Sequence, residues 1–341
     1  MDEAVRKAVQ DQEAYVVGGA VRDELLGRDV VDLDVACPDP ERAAHEYARA
    51  AGGAVFPLSE RHGAWRVAFR SGRTVDFTPL RDGIEADLAS RDFTINAIAR
   101  PVDGGEDVDP HGGRADLEAR VLRAVSPTVF VDDPLRLLRA VRLEDELGFR
   151  LDEGTERLVH EHAGLATKPA GERILGELER LSPEGFRRAE ELGVLGPLGG
   201  STEKLEREGG DPSPALRLAL VFEDGLERFP ISNELKRFAR TMIAAGRPED
   251  DSPRALHRFR RATEPWALEA LAFLDASELA DAVRKARADE PAEPLLRGDE
   301  LGVPPGPEVG RLLALIDEER AAGTIATRED ALELVKKELK S

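Results

Sequence analysis

Acidic side chains in the first third of the chain stand at spacings that suit phosphate chemistry. In Val31-Asp32-Leu33-Asp34-Val35 apolar and acidic residues alternate, so an extended strand points Asp32 and Asp34 to one face. Two carboxylates held so close repel unless a cation lies between them, and the pair reads as a cradle for Mg²⁺. Ahead of it, the apolar run Ala14-Tyr-Val-Val17 breaks into Gly18-Gly19 and opens a helix whose free amides can hold a triphosphate. A third acid, Asp76, lies in Arg73-Thr-Val-Asp-Phe-Thr-Pro, on one strand face with Thr74 and Thr78. Beside the Asp32 and Asp34 strand it completes the carboxylate set of two-metal nucleotidyl transfer. There, one metal acidifies an attacking 3′-hydroxyl and the other holds the triphosphate and departing pyrophosphate. Taken alone, Asp76 also reads as an ordinary solvent-facing strand acid.

Two further stretches carry groups that can recognise a nucleoside. In Ser90-Arg91-Asp92-Phe93-Thr94-Ile95-Asn96-Ala97, Asp92 and Asn96 share a face if the stretch is helical. With Arg91 they form a polar trio able to hydrogen-bond a ribose 2′-hydroxyl; an Asp N-cap beside a surface Arg is the alternative. In Asp132-Asp133-Pro134-Leu135-Arg136, Pro134 suits a first helical turn, and Asp133 and Arg136 lie on one face. A carboxylate accepts from the cytosine or adenine amino group while a guanidinium donates to the neighbouring ring nitrogen or carbonyl; uracil and guanine present the opposite polarity. Arg139 and Arg142 extend a basic stripe that can meet phosphate or RNA, or form salt bridges to Glu146 and its neighbours.

Hydrophobic spacing places these groups on elements. Strands are expected over residues 14–17, 31–37, 64–70 and 73–78, with helices over 20–26 and 40–51. Beyond residue 125 the spacing turns helical: Leu135, Leu138, Val141 and Leu147 line one side of 134–147. Further helices are expected over 172–181, 183–192, 213–223, 233–245, 264–273 and 277–287. Loops rich in Gly, Pro and Ser fall at 196–201, 209–214 and 302–307.

Composition narrows the class. At 341 residues the chain has room for two or more domains, no apolar run reaches membrane-spanning length, and Met1-Asp-Glu-Ala-Val-Arg does not read as a signal peptide. The single Cys37 permits no internal disulfide and fits a cytoplasmic location, and no Cys or His cluster has zinc spacing. No His stands next to an Asp, which argues against a fused phosphohydrolase module. The formal charge of −20 divides as −9 over residues 1–150 and −11 over the rest, so an RNA-binding surface has to be a local patch on an acidic body. Arg supplies 40 of 48 basic residues; a guanidinium fork suits phosphate, and a GC-rich genome produces the same bias.

The order of these motifs resembles a known family. Gly18-Gly-Ala-Val-Arg-Asp23, Asp32-Leu-Asp34, Arg91-Asp-Phe-Thr-Ile-Asn-Ala97, Asp109-Pro-His-Gly-Gly113 with Asp116-Leu117, and Asp133-Pro-Leu-Arg136 resemble the class II tRNA nucleotidyltransferase (CCA-adding) and bacterial poly(A) polymerase superfamily. Ala170-Gly-Glu-Arg-Ile-Leu-Gly-Glu-Leu178 is similar to its neck helix, and the match covers residues 14–195. The resemblance implies an α+β chain with a polymerase-β-like head of mixed β-sheet and helices over 1–125, then an all-helical remainder. That remainder is a neck with the template helix over 126–195, a body over 196–265 and a tRNA-binding tail over 266–341. It further implies Mg²⁺ on Asp32 and Asp34, triphosphate at Gly18, Gly19 and Arg22, ribose at Arg91, Asp92 and Asn96, and a protein template at Asp133 and Arg136. The partners would be CTP or ATP and a tRNA acceptor end, with no membrane.

Departures from the family pattern shape the expected activity. Asp132 stands where the motif has Glu, Ser90 replaces a common Arg, and His111 replaces an aromatic residue and reads as a packing or loop residue. Between the Asp76 strand and Arg91 lie only residues 80–90, whereas family members that add a complete CCA typically carry a considerably longer flexible loop there. That shortness predicts a CC-adding enzyme served by a separate A-adding partner. The alternatives are a full CCA-adding enzyme in which a loop near residues 60–63 substitutes, a poly(A) polymerase, an RNA-binding protein with a dead head, and a small-molecule nucleotidyltransferase. All three carboxylates and both template residues oppose the dead head, and the long helical remainder opposes the small-molecule enzyme.

Overall fold

A computed structural model describes residues 2–59, 63–208 and 211–340, and the chain divides into two compact units at Leu198/Gly199. In the first unit the order is α1 (Glu3–Ala8), β1 (Tyr15–Val17), α2 (Gly19–Leu25), β2 (Asp32–Cys37), α3 (Pro40–Ala51), β3 (Ala54–Ser59), β4 (Ala64–Ala68), β5 (Thr74–Pro79), α4 (Ile84–Ala89) and β6 (Ala99–Pro101). The six strands form one sheet in the order β3-β4-β5-β2-β1-β6. Strands β2 and β5 run parallel and the other neighbours antiparallel, so the sheet is mixed. Alternation does what the sequence predicts: Val35, Val75 and Phe77 are fully buried, while Asp32, Asp34 and Asp76 share the opposite face.

Local chemistry sets the helix boundaries. Asp39 accepts from the Arg42 amide and Pro40 occupies the first turn of α3, which ends at Gly52 with φ +84°. The connection over residues 80–90 is not a free loop. It folds as α4, whose Ile84 and Leu88 join Val17, Ala36, Leu80, Ala97 and Ala99 in one buried cluster.

One expectation is corrected here. Residues 91–97 are not an α-helix: Phe93 is extended at φ −125° and ψ 150°, and a single 3₁₀ turn, Thr94–Asn96, follows. The Thr94 amide donates to the Arg123 carbonyl, which holds the stretch to the following segment instead of to its own next turn.

The first unit continues through α5 (Gly113–Ala119), β7 (Val121–Leu122), α6 (Val129–Asp132), α7 (Arg136–Leu147), β8 (Arg150–Leu151), α8 (Glu153–His162), α9 (Gly171–Leu178) and α10 (Pro183–Glu191). The second unit is helical throughout: α11 (Glu203–Glu208), α12 (Pro214–Phe222), α13 (Asn233–Ala244), α14 (Pro253–Thr263), α15 (Ala267–Phe273), α16 (Ala280–Ala288), α17 (Pro307–Ala321) and α18 (Arg328–Glu338). Helices α10, α12 and α14 each start on Ser-Pro, with the serine hydroxyl accepting an amide of the first turn. Leu296, Leu301, Leu312, Ile316, Ala331 and Val335 make a separate core at the end of this unit. Among the described residues no helix is long and apolar enough to cross a membrane.

Candidate active site

Strand register assembles the carboxylates. Asp34 stands opposite Asp76 across the β2–β5 pair, and Asp32 opposite Thr74, whose hydroxyl donates to Asp32 Oδ1 at 2.7 Å. Burial pushes the Asp34 carboxyl above the ordinary carboxylate range; Asp76 and Asp32 add to the rise, and Arg91 and Arg139 oppose it. Asp76 is itself buried and gives both its oxygens to Arg66.

Asp34 also opens onto a cleft walled by four segments. Gly18 and Gly19 form one edge, Asp87, Ser90 and Arg91 a second, Asp92 and Asn96 the floor, and Asp133, Arg136 and Arg139 the far wall. Gly18 sits at φ +72°, which favours glycine, and a β-carbon there would lie 2.8 Å from the Arg91 guanidinium and 3.3 Å from Asp34, displacing that arginine. Arg91 is held by Asp87 at 2.9 Å.

The floor is a chain of charge-assisted bonds. Asp92 Oδ1 accepts from the Phe93 amide at 2.7 Å and the Asn96 amide group at 3.0 Å, and Oδ2 lies 2.8 Å from Arg139 Nε. Burial alone would raise the Asp92 carboxyl, but Arg139, Asn96 and Phe93 outweigh it and hold it below the ordinary range. Asp92 is therefore a fixed anion, held by two hydrogen bonds and the adjacent Arg139 charge. On the far wall Asp133 caps the Leu135 amide at 3.2 Å and pairs with Arg173 of α9 at 2.8 Å. Arg136 donates to the Ser90 carbonyl at 2.7 Å.

Not every expected residue reaches the cleft. Asp32 and Asp76 lie on the carboxylate face but do not line it. One expected phosphate contact is corrected. Arg142 is buried in an ion-pair cluster with Glu177 and Glu146, so its charge is spent inside the fold. Arg22 donates to both oxygens of Asp23 and, at 2.8 Å, to Asn96 Oδ1, and its guanidinium lies against Gly19 at the edge of the cleft. The Asp109-Pro-His-Gly-Gly113 motif has a supporting part. Asp109 accepts from the Gly113 and Arg114 amides, and a β-carbon on Gly113 would collide with the Thr94 carbonyl. His111 stands outside the cleft lining. Cys37 is buried with its thiol pushed up to about 12, which leaves it no nucleophilic part. Of the substitute loop expected near residues 60–63, residues 60–62 lie outside the described residues.

Arg66, Asp87 and Arg173 complete the site, and sequence reading did not find them. For Arg66 a signal existed: Phe69 bonds to Arg73 across the β4–β5 turn, and counting outward from there pairs Arg66 with Asp76. Arg173 stood in view within the neck-like stretch 170–178, but nothing there names its partner Asp133, 40 residues away.

The donor set fits a hard dication. Among the described residues no three His, Cys, Asp or Glu side chains are gathered into a cage. Mg²⁺ does not need one, since it is held by one or two carboxylates with water and substrate phosphates completing the shell. A buried carboxylate lifted by two like neighbours is the arrangement such an ion relieves.

Comparison with known proteins places the chain among nucleotidyltransferases. A family model described as the poly A polymerase head domain matches residues 14–83 and 69–123. The A-adding tRNA nucleotidyltransferase of Deinococcus radiodurans is 34% identical over 95% of this chain and 95% of its own length. The CC-adding tRNA nucleotidyltransferase of Thermus thermophilus is 33% identical over 94% of this chain and 92% of its own. Among solved structures, the Thermotoga maritima CCA-adding enzyme complexed with tRNA superposes with a TM-score of 0.77 at 25% identity, covering 99% of this chain and 96% of that one.

Proposed function

The chain belongs to the superfamily of tRNA nucleotidyltransferases and bacterial poly(A) polymerases, and from that premise we propose that it adds two cytidines to a tRNA 3′ end from CTP. One observation carries the reading: a single cleft gathers the paired glycines, Asp34, the Arg91, Asp92 and Asn96 trio, and the Asp133 and Arg136 pair. In the reaction the 3′-oxygen bonds to the α-phosphorus, the bond to the β-phosphate oxygen breaks, and pyrophosphate leaves. Asp32 and Asp34 would hold Mg²⁺, which supplies charge to neutralise the triphosphate and acidify the attacking hydroxyl. Gly18 and Gly19 let the backbone approach the phosphates without a β-carbon, and Arg91 and Arg139 balance their charge. Asp92 and Asn96 present fixed polar atoms to the ribose. Asp133 accepts from the cytosine amino group while Arg136 donates to N3 and O2.

Selection of C over A rests on rigidity. Adenine offers the same donor and acceptor order, so the polar pair alone does not exclude it; the difference is size. Arg136 is tied to the Ser90 carbonyl at the end of α4, and α4 is pinned by buried Ile84 and Leu88. Widening the cleft for a purine would break that anchor. A separate enzyme would then supply the terminal A. Addition of A by this chain is the second reading, favoured by its similarity to an A-adding relative along nearly all its length.

Asp32→Asn and Asp34→Asn test the site. Each should lower turnover by at least ~10³-fold, the scale of electrostatic catalytic groups, with tRNA affinity little changed. Asp34→Asn should also fold well, because the charge it removes is penalised by burial and by Asp76. Near-normal turnover in either variant overturns the assignment.

A further inference from the structure

Arg66 is the cation nearest the carboxylate row that the proposed reaction leaves unused. Its Nε and one terminal nitrogen each lie 2.7 Å from a different oxygen of Asp76. Register creates the arrangement: Arg66 faces Asp76 across β4–β5, and Asp76 faces Asp34 across β5–β2. A row of Arg66, Asp76 and Asp34 therefore crosses three strands on one face, with Asp32 two residues along β2. Fork-on-fork pairing is strong and directional, and Asp76 is buried, so water screens the pair poorly.

Three carboxylates on neighbouring strands would bind a dication tightly with or without a substrate. A guanidinium that occupies both oxygens of one of them removes it from the available donors. We propose that Arg66 is a positioning residue of the cation site, holding Asp76 out of the ligand set so that a dication engages Asp32 and Asp34 alone. The rest of the cation's shell then stays open to water and substrate phosphates, and its binding stays weak until nucleotide arrives. The inference rests on the reading that Asp32 and Asp34 hold the cation.

Mn²⁺ titrated into the nucleotide-free full chain, with free Mn²⁺ read by electron paramagnetic resonance, tests it without any activity measurement. Arg66→Met should tighten Mn²⁺ binding by at least ~5-fold, because a positive charge leaves and a carboxylate is released toward the ion. Adding Asp76→Asn to that variant should return affinity to the wild-type value or below. Unchanged or weaker binding in folded Arg66→Met overturns the proposal. Should circular dichroism show Arg66→Met unfolded, Arg66→Lys decides. It keeps the charge and loses the fork, and Mn²⁺ binding no tighter than wild type overturns the proposal equally. Wild-type binding indifferent to Asp34→Asn is a separate result, and it removes the cation-site reading itself.

Discussion

Asp133 carries two demands on one carboxylate. Arg173 holds Oδ2 and the Leu135 amide donates to Oδ1, yet a carboxylate has about four acceptor positions, so room remains for a base amino group. Arg173 fixes the direction in which the free positions point, which a template requires. Asp133→Ala should erode discrimination of C against U by ~1–3 kcal/mol, the worth of a good bidentate base contact, read as misincorporated U in sequenced products. If U stays at the wild-type level while the overall rate falls, Asp133 is a helix cap and not a template. Arg142 shows the limit of reasoning residue by residue. Its spacing from Arg139 was visible, but whether it faced the cleft or Glu177 depended on where α9 packs.

At the scale of elements, α14 gives a prediction of its own. Burial lowers the imidazole of His257 on that helix below its ordinary 6.5; Asp317, Glu290 and Glu318 oppose the shift, and Arg261 adds to it. A depressed folded-state value means that the unfolded chain binds the proton first. Stability is therefore full above about pH 6.5 and is lost as pH falls toward the folded value. Hydrogen exchange of α14 amides should accelerate between about pH 7.5 and about pH 5.5, after correction for intrinsic rates, more in wild type than in His257→Leu. Equal acceleration contradicts it. The same helix shows what sequence could and could not yield. Its Ser252-Pro253 start is the signal that also opens α10 and α12, which are expected from sequence, but its Arg-rich stripe hides the two apolar anchors Leu256 and Phe259. Strands β2 and β5 were legible because alternation is strict there. By contrast β3, broken by Pro57 and a register shift, and β6, only three residues long, offered too few periods to read. The 91–97 stretch reads as a helix because Asp92 and Asn96 stand four residues apart; they do hydrogen-bond, but only the bond from Thr94 to Arg123 decides the backbone.

Across the whole molecule, the charge of −20 looks hostile to RNA, but the side-chain pairing says where the arginines go. Arg254 pairs with Glu318 and Glu319, Arg258 with Glu318, Arg311 with Glu308 and Glu338, and Arg260 with Glu264 and Glu290. Much of the arginine content of the second unit thus serves intramolecular pairs, which accords with the view that composition alone does not reveal the partner. The carboxylates, the paired glycines and the template pair were readable as chemistry; Arg66 could be reached by counting register from the β4–β5 turn, and Arg173 needed the fold. A rigid template that fits C should stop after two additions. The decisive measurement incubates the purified chain with tRNA lacking its 3′ end, supplies CTP and ATP together, and sequences the products. Chains should end after two added C residues, with ATP making no difference to their length; efficient addition of a terminal A by the protein alone would refute the CC-only reading.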